Sequence, residues 1–450
     1  MTIATINRFI KLFADAFRAL SAEVPMAEVE RLAMLIHHSM NRGTRIYHTS
    51  THVLDMCEGM NPRQVLASLF HDVVYYQLDG GFPSLADTLL KRVVRAEKKG
   101  IVLRPIEDGD TGLAICTGIF GFEAGQTLAL YGGLNEFLSA VVATRMLQPH
   151  LPPAEIVAIV SCIEATIPFR GGGADGRGPA DVLAGRVREV CGSLAIQCTE
   201  AQIDRIVTDA VLLANNDVKG FAEPDPGIFL SVTWQLMEES NAPLAAVGVY
   251  SIQDYRSALS RTETFLGTLD PGHVFRRYKN TPSEKALTAL GDAARRNLKF
   301  AGDYLGAKLL GIVLVEALAL ATGGNAPVSM FLGDIRSASG KPDRVEDFLP
   351  TPPRTKDLNP QLLAVLEKGR TKAAISDLTD SPLTAFIYRS LGGDGTTHAL
   401  QQSKKMIAGD LRPDDFLKGL NRQMVRAVTK ACAQIALSRT EPLLALERTL

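Results

Sequence analysis

The stretch that decides the fold runs from Ile203 to Ala214 and reads IDRIVTDAVLLA. Its apolar residues recur three and four positions apart, a spacing that collects them on one face of an α-helix. They are Ile203, Ile206, Val207, Ala210, Val211 and Ala214. A second stripe of the same kind consists of Val29, Leu32, Leu35 and Ile36. Segments with the strict alternation of a strand are scarce, so the sequence predicts an all-α fold.

Length and composition describe a large globular protein. The chain has 450 residues, which exceeds the usual size of one domain. Helix-start residues at 280–283 indicate a boundary near residue 285, which divides the chain into regions 1–285 and 286–450. The net charge of −1 does not suit a protein that binds the nucleic-acid backbone, so we expect no nucleic-acid partner.

Three further features favour a cytoplasmic protein. The six cysteines contain no Cys-x-x-Cys pair, which fits a reducing compartment. The first residues lack the apolar core and cleavage site of a signal peptide. The most apolar run, Leu309 to Thr322, contains Glu316 and is too short to span a bilayer, so we expect a buried core helix and no membrane insertion.

Two short segments carry most of the chemistry. Residues 47–55 read YHTSTHVLD, and on a helix His48 and His52 would share one face. Residues 65–72 read VLASLFHD, which predicts a buried helix that ends at His71 and Asp72. Burying an imidazole and a carboxylate is costly unless something binds them, and a divalent metal ion would do so. For an isolated His-Asp pair, mutual pairing or helix capping is the more common explanation.

Together the two segments resemble the motifs of the HD-domain superfamily of metal-dependent phosphohydrolases. The opening segment is similar to that of the cyclic-nucleotide phosphodiesterase branch, and the resemblance covers about residues 30 to 220. It implies an HD-type helical bundle with an additional C-terminal helical region. It also implies that His52, His71 and Asp72 are metal ligands and that His48 is the general acid.

The resemblance implies one more ligand, an aspartate on a later helix. Asp209 and Asp217 both qualify, and we prefer Asp217 because it lies near a helix end among polar neighbours. Two nitrogen and two oxygen ligands favour Mn or Fe slightly, and leave Mg, Co, Ni and Zn possible. Residues 73–81, directly after His71 and Asp72, contain no further histidine, so we expect one metal ion rather than two.

Candidate substrate groups lie near these segments. Glu164 interrupts an apolar helix and could orient the attacking water or a ligand imidazole; a surface position is the equal alternative. Arg170 and Lys219 could neutralise a phosphate, although cations at helix ends are usually just solvated. Tyr75 could line a pocket for a base, although an aromatic residue there is more often part of the core or its rim.

The resemblance implies hydrolysis of a phosphoester, with a nucleotide or a nucleotide second messenger as substrate. The alternative is a catalytically reduced HD scaffold that binds a nucleotide or a metal and acts as a regulatory or interaction protein. For the C-terminal region three roles stay open: a substrate wall, a partner-binding module, or a dimer surface that would make the chain a homo-oligomer.

Overall fold

A computed structural model describes residues 4–97, 100–130, 132–173, 176–334, 343–353, 357–372 and 376–450. Twenty α-helices dominate this part of the chain, and its strands are three short segments. The prediction of an all-α fold is therefore confirmed.

Contacts divide the chain into two compact units, and each unit is discontinuous in sequence. The first consists of Met1–Ala222 and Asp270–Ala294, and the second of Glu223–Leu269 and Arg295–Leu450. A helix begins at Glu284, where the sequence predicts a new helical series. The division nevertheless differs from a single boundary near residue 285, because residues 223–269 pack with the C-terminal part of the chain.

The first unit contains eleven of the described helices and a small antiparallel sheet. Its helices are α1 (Thr5–Ala19), α2 (Met26–Met40), α3 (Ser50–Cys57), α4 (Pro62–Phe70), α5 (Tyr76–Asp79), α6 (Asp87–Val93), α7 (Thr111–Phe120), α8 (Leu134–Leu147), α9 (Pro153–Ala165), α10 (Pro179–Ser193) and α11 (Glu200–Asp217). Its strands are β1 (Val94–Glu97), β2 (Gly100–Leu103) and β3 (Thr127–Leu128), in the order β1-β2-β3. A 3₁₀ turn, Lys219–Ala222, follows α11 directly, and another covers Pro271–His273.

Helix α9 is the centre of this unit. Every residue from Ile156 to Ala165 is buried, and the helix packs against α4, α7, α8, α10 and α11. A helix that is apolar around its whole circumference belongs in a core. Helix α9 is therefore the core helix around which these five neighbours pack.

Two of those neighbours begin at strong caps. Asn61 and Gln64 form a reciprocal capping box at the start of α4, and Thr199 and Gln202 form one at the start of α11. Each box satisfies backbone N–H groups that a helix start leaves free. The caps help to fix the residue at which α4 and α11 each begin, and hence the positions of their C-terminal ends.

The second unit is also helical. Its helices are α12 (Pro226–Glu239), α13 (Ile252–Thr268), most of α14 (Glu284–Ala321), α15 (Val328–Leu332), α16 (Pro360–Lys368), α17 (Pro382–Ala408, bent at Gly392), α18 (Pro413–Gly419), α19 (Arg422–Ile435) and α20 (Thr440–Thr449). Short 3₁₀ turns lie at Ala242–Ala245, Val345–Phe348 and Leu437–Arg439.

Helix α14 contains the apolar run noted in the sequence. Among the described helices, it alone is long and apolar enough to cross a membrane, and 89% of its most apolar window is buried inside the protein. Its Glu316 is buried as well and pairs with Arg256, whose Nε lies 3.0 Å from the carboxylate. The prediction of a buried core helix from Leu309 onward is confirmed.

Candidate metal centre

His71 lies at the C-terminal end of α4, as the sequence predicts, and is almost fully buried. Its Nδ1 is 2.8 Å from the carbonyl oxygen of Ser68 and donates its proton to it. The lone pair of the neutral ring is then on Nε2, the other nitrogen. A backbone acceptor of this kind commonly fixes the tautomer of a metal-binding histidine.

Asp72 follows directly, and a buried ion pair fixes its backbone. Arg45 donates to the carbonyl oxygen of Asp72 at 2.7 Å. The same guanidinium holds Asp79 through two bonds, at 3.1 Å to Oδ1 and 2.8 Å to Oδ2, and both side chains are inaccessible to solvent. Because a bidentate pair is geometrically specific, Asp79 holds the Arg45 guanidinium in place. Arg45 in turn helps to fix the position of the Asp72 backbone.

His52 on α3 and Asp217 at the end of α11 complete the group. The Nε2 of His52 is 3.6 Å from Oδ2 of Asp72 and 3.4 Å from Oδ1 of Asp217. The same Asp217 oxygen is 4.0 Å from Nε2 of His71. Asn216 donates to the carbonyl oxygen of Met56 at 2.9 Å, and this bond ties the end of α11 to α3.

These atoms suit a divalent cation. The Nε2 atoms of His52 and His71 and Oδ2 of Asp72 are buried and make no hydrogen bond within the described residues. Two ligands that are each about 2.1 Å from one ion lie roughly 3 to 4.2 Å apart, close to the separations here. Among the described residues, His52, His71 and Asp72 alone meet as three possible ligand atoms within 4.8 Å of one another. The donor set therefore fits the predicted metal ion.

In this cluster the neighbouring charges shift the pKa values of His71 and Asp72 more strongly than burial does. Burial by itself would lower the pKa of His71, but the charges of Asp72 and Asp217 outweigh it and raise the pKa to about 9. Burial would likewise raise the pKa of Asp72, and the charges of His71 and His48 instead hold it well below its ordinary value. Without a metal ion, the positive charge of the protonated His71 ring thus compensates the buried carboxylate.

His48 does not share a helix with His52, so that part of the sequence prediction is wrong. Helix α3 begins at Ser50, and His48 lies in the bend before it. The reason is local: the backbone of Thr49 is extended, so Thr49 occupies the N-cap position and the helix begins only at Ser50. The ring of His48 still lies near the cluster, 5.8 Å from the His52 ring and 4.9 Å from the Tyr75 ring.

Asp209 lies elsewhere on α11. It is eight residues before Asp217, or about 12 Å along the helix axis. Its carbonyl oxygen accepts from Gln64 at 2.8 Å, and its carboxyl group is buried, which raises its pKa. Of the two predicted alternatives, Asp217 is the one beside the histidines.

Three further residues predicted for the site, Glu164, Arg170 and Lys219, differ in their burial and in their partners. Glu164 is buried, and its Oε1 is 2.5 Å from Arg170 and 3.5 Å from Arg186. Arg170 also donates to the carbonyl oxygen of Glu164 at 3.0 Å. Lys219 is exposed on the turn two residues after Asp217. Glu164 and Arg170 are therefore engaged with each other, and a surface position for Glu164 is excluded.

Glu136 on α8 was missed by the sequence analysis. Burial of its carboxyl group raises its pKa to about 7; Asp72 and Asp217 add to this rise, and Arg170 opposes it. Its neighbour Asn135 accepts from the backbone N–H of Tyr76 at 3.0 Å, which holds α8 against the segment after Asp72. In the sequence Glu136 is only an acidic residue in the first turn of a helix, where such residues are common.

Arg276 was missed as well. It is buried, and its guanidinium donates to the carbonyl oxygens of Ala165 and Ile167, where α9 ends. Its backbone exchanges two hydrogen bonds of 2.8 Å with the side chain of Asn215, near the end of α11. Burial and nearby Arg170 lower the pKa of Arg276 to about 10, although Glu164, Asp217 and Glu136 raise it. No local pattern predicts contacts between residues that are 61 to 111 positions apart in the sequence.

No family model, curated protein or solved structure gives a significant match to this chain. Support for a metal ion at the candidate centre therefore comes from the geometry of the cluster and from the motifs of the chain itself.

Proposed function

We propose that this protein is a metal-dependent hydrolase of phosphoesters, of HD type, whose substrate is a nucleotide or a nucleotide second messenger. The observation that carries the proposal is the meeting of three buried ligand atoms without hydrogen-bond partners, on His52, His71 and Asp72. Buried polar atoms normally find a partner, so their convergence calls for a bound group. Two imidazoles and a carboxylate, joined by Asp217, make that group a divalent cation.

His52, His71, Asp72 and Asp217 would hold the ion. A bound divalent ion would polarise the phosphoryl group and activate a water molecule for attack. Two carboxylates and two neutral imidazoles bring two negative charges, which match one divalent cation. Mn or Fe remains the favoured metal on ligand chemistry.

Proton transfers would fall to residues beside the ligands. His48 is near the cluster but is not needed as a ligand, and its imidazole suits the protonation of a departing oxygen near neutral pH. Glu136 is a better acceptor for the proton of the attacking water than Glu164, because Arg170 already holds Glu164. Tyr75 packs edge to face against His48 and would orient its ring.

The substrate class follows from charge and from the motif resemblance. Arg170 and Arg276 lie near the carboxylates around the cluster and bring positive charge to a region that must receive a phosphate. Exposed Lys219, two residues after Asp217, could add a further contact to it. The choice of a nucleotide comes from the resemblance to HD-domain phosphohydrolases.

The test is a turnover assay with purified full-length protein, added Mn²⁺ and a panel of nucleotides. Wild type should release phosphate or nucleoside, and Asp72→Ala should abolish the release. Asp55→Ala is the matched control, because Asp55 is exposed on α3 one turn beyond His52. Activity that survives Asp72→Ala would overturn the proposed site. Tight nucleotide binding without any product would favour the regulatory alternative instead.

A further inference from the structure

A small cavity in the second unit is lined by charged and hydroxyl-bearing side chains as well as apolar ones. It has a volume of about 50 Å³, and its wall includes Tyr255 on α13, Lys308 on α14 and Asp377, which lies just before α17. One water molecule needs about 10 to 15 Å³ of such space. The cavity therefore has room for a few water molecules or for one small ion.

Two buried cations share one carboxylate beside this cavity. Nζ of Lys308 lies 2.9 Å from Oδ2 of Asp377, and Nη1 of Arg370 lies 3.3 Å from the same oxygen. Burial raises the pKa of Asp377, but the charges of Lys308 and Arg370 outweigh it and hold the pKa below its ordinary value, so the carboxylate is ionised. These three groups carry one positive charge in excess. Because an uncompensated buried charge is costly, the excess favours a bound anion.

Tyr255 offers the cavity a hydrogen-bond donor that is not in use. Its side chain is buried, and its hydroxyl makes no hydrogen bond within the described residues. Burial and the charge of Asp377 raise the pKa of Tyr255 well above its ordinary value, so the hydroxyl keeps its proton. Nζ of Lys308 is 5.6 Å from the centre of the Tyr255 ring. Since buried donors normally find an acceptor, the hydroxyl calls for one on a bound molecule.

Two further donors without partners lie next to the cations. The guanidinium carbon of Arg370 is 4.0 Å from the centre of the Trp234 ring, and Nζ of Lys308 is 5.7 Å from it. Neither Nε of Arg370 nor Nε1 of Trp234 makes a hydrogen bond in the part of the chain that the structure describes. Other N–H groups of Arg370 donate to Tyr304 and to the carbonyl oxygen of Leu378. The surroundings of the two cations therefore offer donors and positive charge.

The other charged residues near this cluster do not remove the excess charge. Arg344 and Glu346 line the cavity but pair with each other at 2.6 Å. Glu238 does not line the cavity, and its Oε1 accepts from Ser376. Asp380 does line it, but it is only half-buried, where water and salt screen its carboxylate. An ammonium compound bound at Asp380 is the competing occupant.

We propose that this cavity binds a small oxyanion, an inorganic phosphate or a carboxylate, against Tyr255 and Lys308. The site lies entirely within the second unit and does not depend on the proposed metal centre. A tyrosine hydroxyl and an ammonium group both donate to oxygen, and hydrogen bonds between charged partners are the strong ones. The bound anion would stabilise the second unit, because it would bind the folded state and not the unfolded chain.

The single tryptophan of the chain, Trp234, allows this site to be observed directly. Phosphate or acetate is titrated into chelator-treated full-length protein at constant ionic strength, and binding is followed by tryptophan fluorescence and by titration calorimetry. At least one of the two anions should bind saturably, and the one that binds identifies the class of oxyanion. Tyr255→Phe should weaken this binding by about tenfold or more. Asp72→Ala should bind the anion like wild type, because Asp72 belongs to the first unit.

Tyr388→Phe is the matched control. It removes the hydroxyl of another buried tyrosine of the second unit, which accepts from the backbone N–H of Asn359 at 2.9 Å and does not line the cavity. This variant should bind the anion like wild type. Without anion, Tyr255→Phe should resist urea at least as well as wild type, since its hydroxyl has no hydrogen bond to lose.

Four results would overturn the site. If neither anion binds, the cavity holds only water. If methylammonium chloride binds and the anions do not, the cavity is a cation site at Asp380. If Tyr255→Phe binds like wild type, or unfolds at a lower urea concentration without anion, its hydroxyl is not a free donor. If Asp72→Ala abolishes binding, the anion belongs to the first unit. None of these results contradicts the proposed hydrolase.

Discussion

The Nε2 atom of His71 lies 2.8 Å from Oδ2 of Asp72, and while the proton of the neutral ring is on Nδ1 both atoms are acceptors that cannot bond each other. Both are buried, and Nδ1 of the same ring is already committed to Ser68. A third group between them would satisfy both atoms, and His52 and Asp217 offer further ligand atoms to that group. Several expectations for metal binding follow from this relationship.

Metal affinity should depend steeply on pH. In the metal-free protein the pKa of His71 is about 9, so the ring holds a proton that a metal ion must displace. The proton competes below the pKa and is absent above it. The apparent affinity should therefore rise about tenfold per pH unit from pH 7 to 9 and level off above that range. Chelator competition with Mn²⁺ under anaerobic buffer measures it, and a flat profile would count against His71 as a ligand.

Two aspartates on α11 provide a matched pair. Asp217→Asn removes a proposed ligand and should weaken metal binding by about a hundredfold or more, since even outer-sphere partners contribute tenfold to a hundredfold. Asp209→Asn should leave metal affinity unchanged, because Asp209 lies two turns away among α4 neighbours. Equal losses in the two variants would mean that α11 responds as a whole and that Asp217 has no special role.

His48 should affect turnover and not metal content. Replacing a general acid typically lowers kcat by about 10²-fold to 10⁴-fold, so His48→Ala should show a loss of that order with its metal retained. The exposed residue His38 supplies the control variant, His38→Ala, which should match wild type in both assays. If His48→Ala loses its metal, then His48 is a ligand, and the general-acid role must be given up.

The close packing of α7 against α10 predicts that Gly118→Ala and Gly185→Ala change the free energy of unfolding in opposite directions. A Cβ at Gly118 would clash with a methyl group of Val190, whereas a Cβ at Gly185 would meet nothing within 4 Å. Gly118→Ala should lower the free energy of unfolding by about 1 to 3 kcal/mol through overpacking. Gly185→Ala should raise it by up to about 1 kcal/mol, since alanine favours the helix. Urea unfolding measures both; equal changes would contradict the close approach of the helices.

The candidate ligand residues could be picked out in the sequence because their signals are local, and their role as ligands stays a prediction. His71 and Asp72 are adjacent, and the apolar run before them predicts a buried helix that ends there. Asp217 was preferred for its place at a helix end, and it lies 3.4 Å from His52. His48 was placed on the wrong element because the four-residue spacing was read as a helix, whereas Thr49 is extended and the helix begins only after it.

The remaining residues of the site depend on tertiary packing and carry no local signal. Glu136 comes near Asp72 because Asn135 and Ser139 of α8 accept from backbone N–H groups of Tyr76 and Val74. Arg276 reaches α9 from a segment far along the chain. Helical periodicity predicts which face of a helix is buried, but it does not predict which helix or segment will cover that face.

The central claim is tested most directly by the metal content of the purified full-length chain, measured by mass spectrometry of the elements after loading with Mn²⁺ and removal of free ion. We expect roughly one ion per chain in wild type, and a loss of that ion in Asp72→Ala. Retention in the control variant Asp55→Ala would show that the loss is specific. A wild-type chain that holds no metal, or an Asp72→Ala chain that holds as much as wild type, would contradict the metal centre.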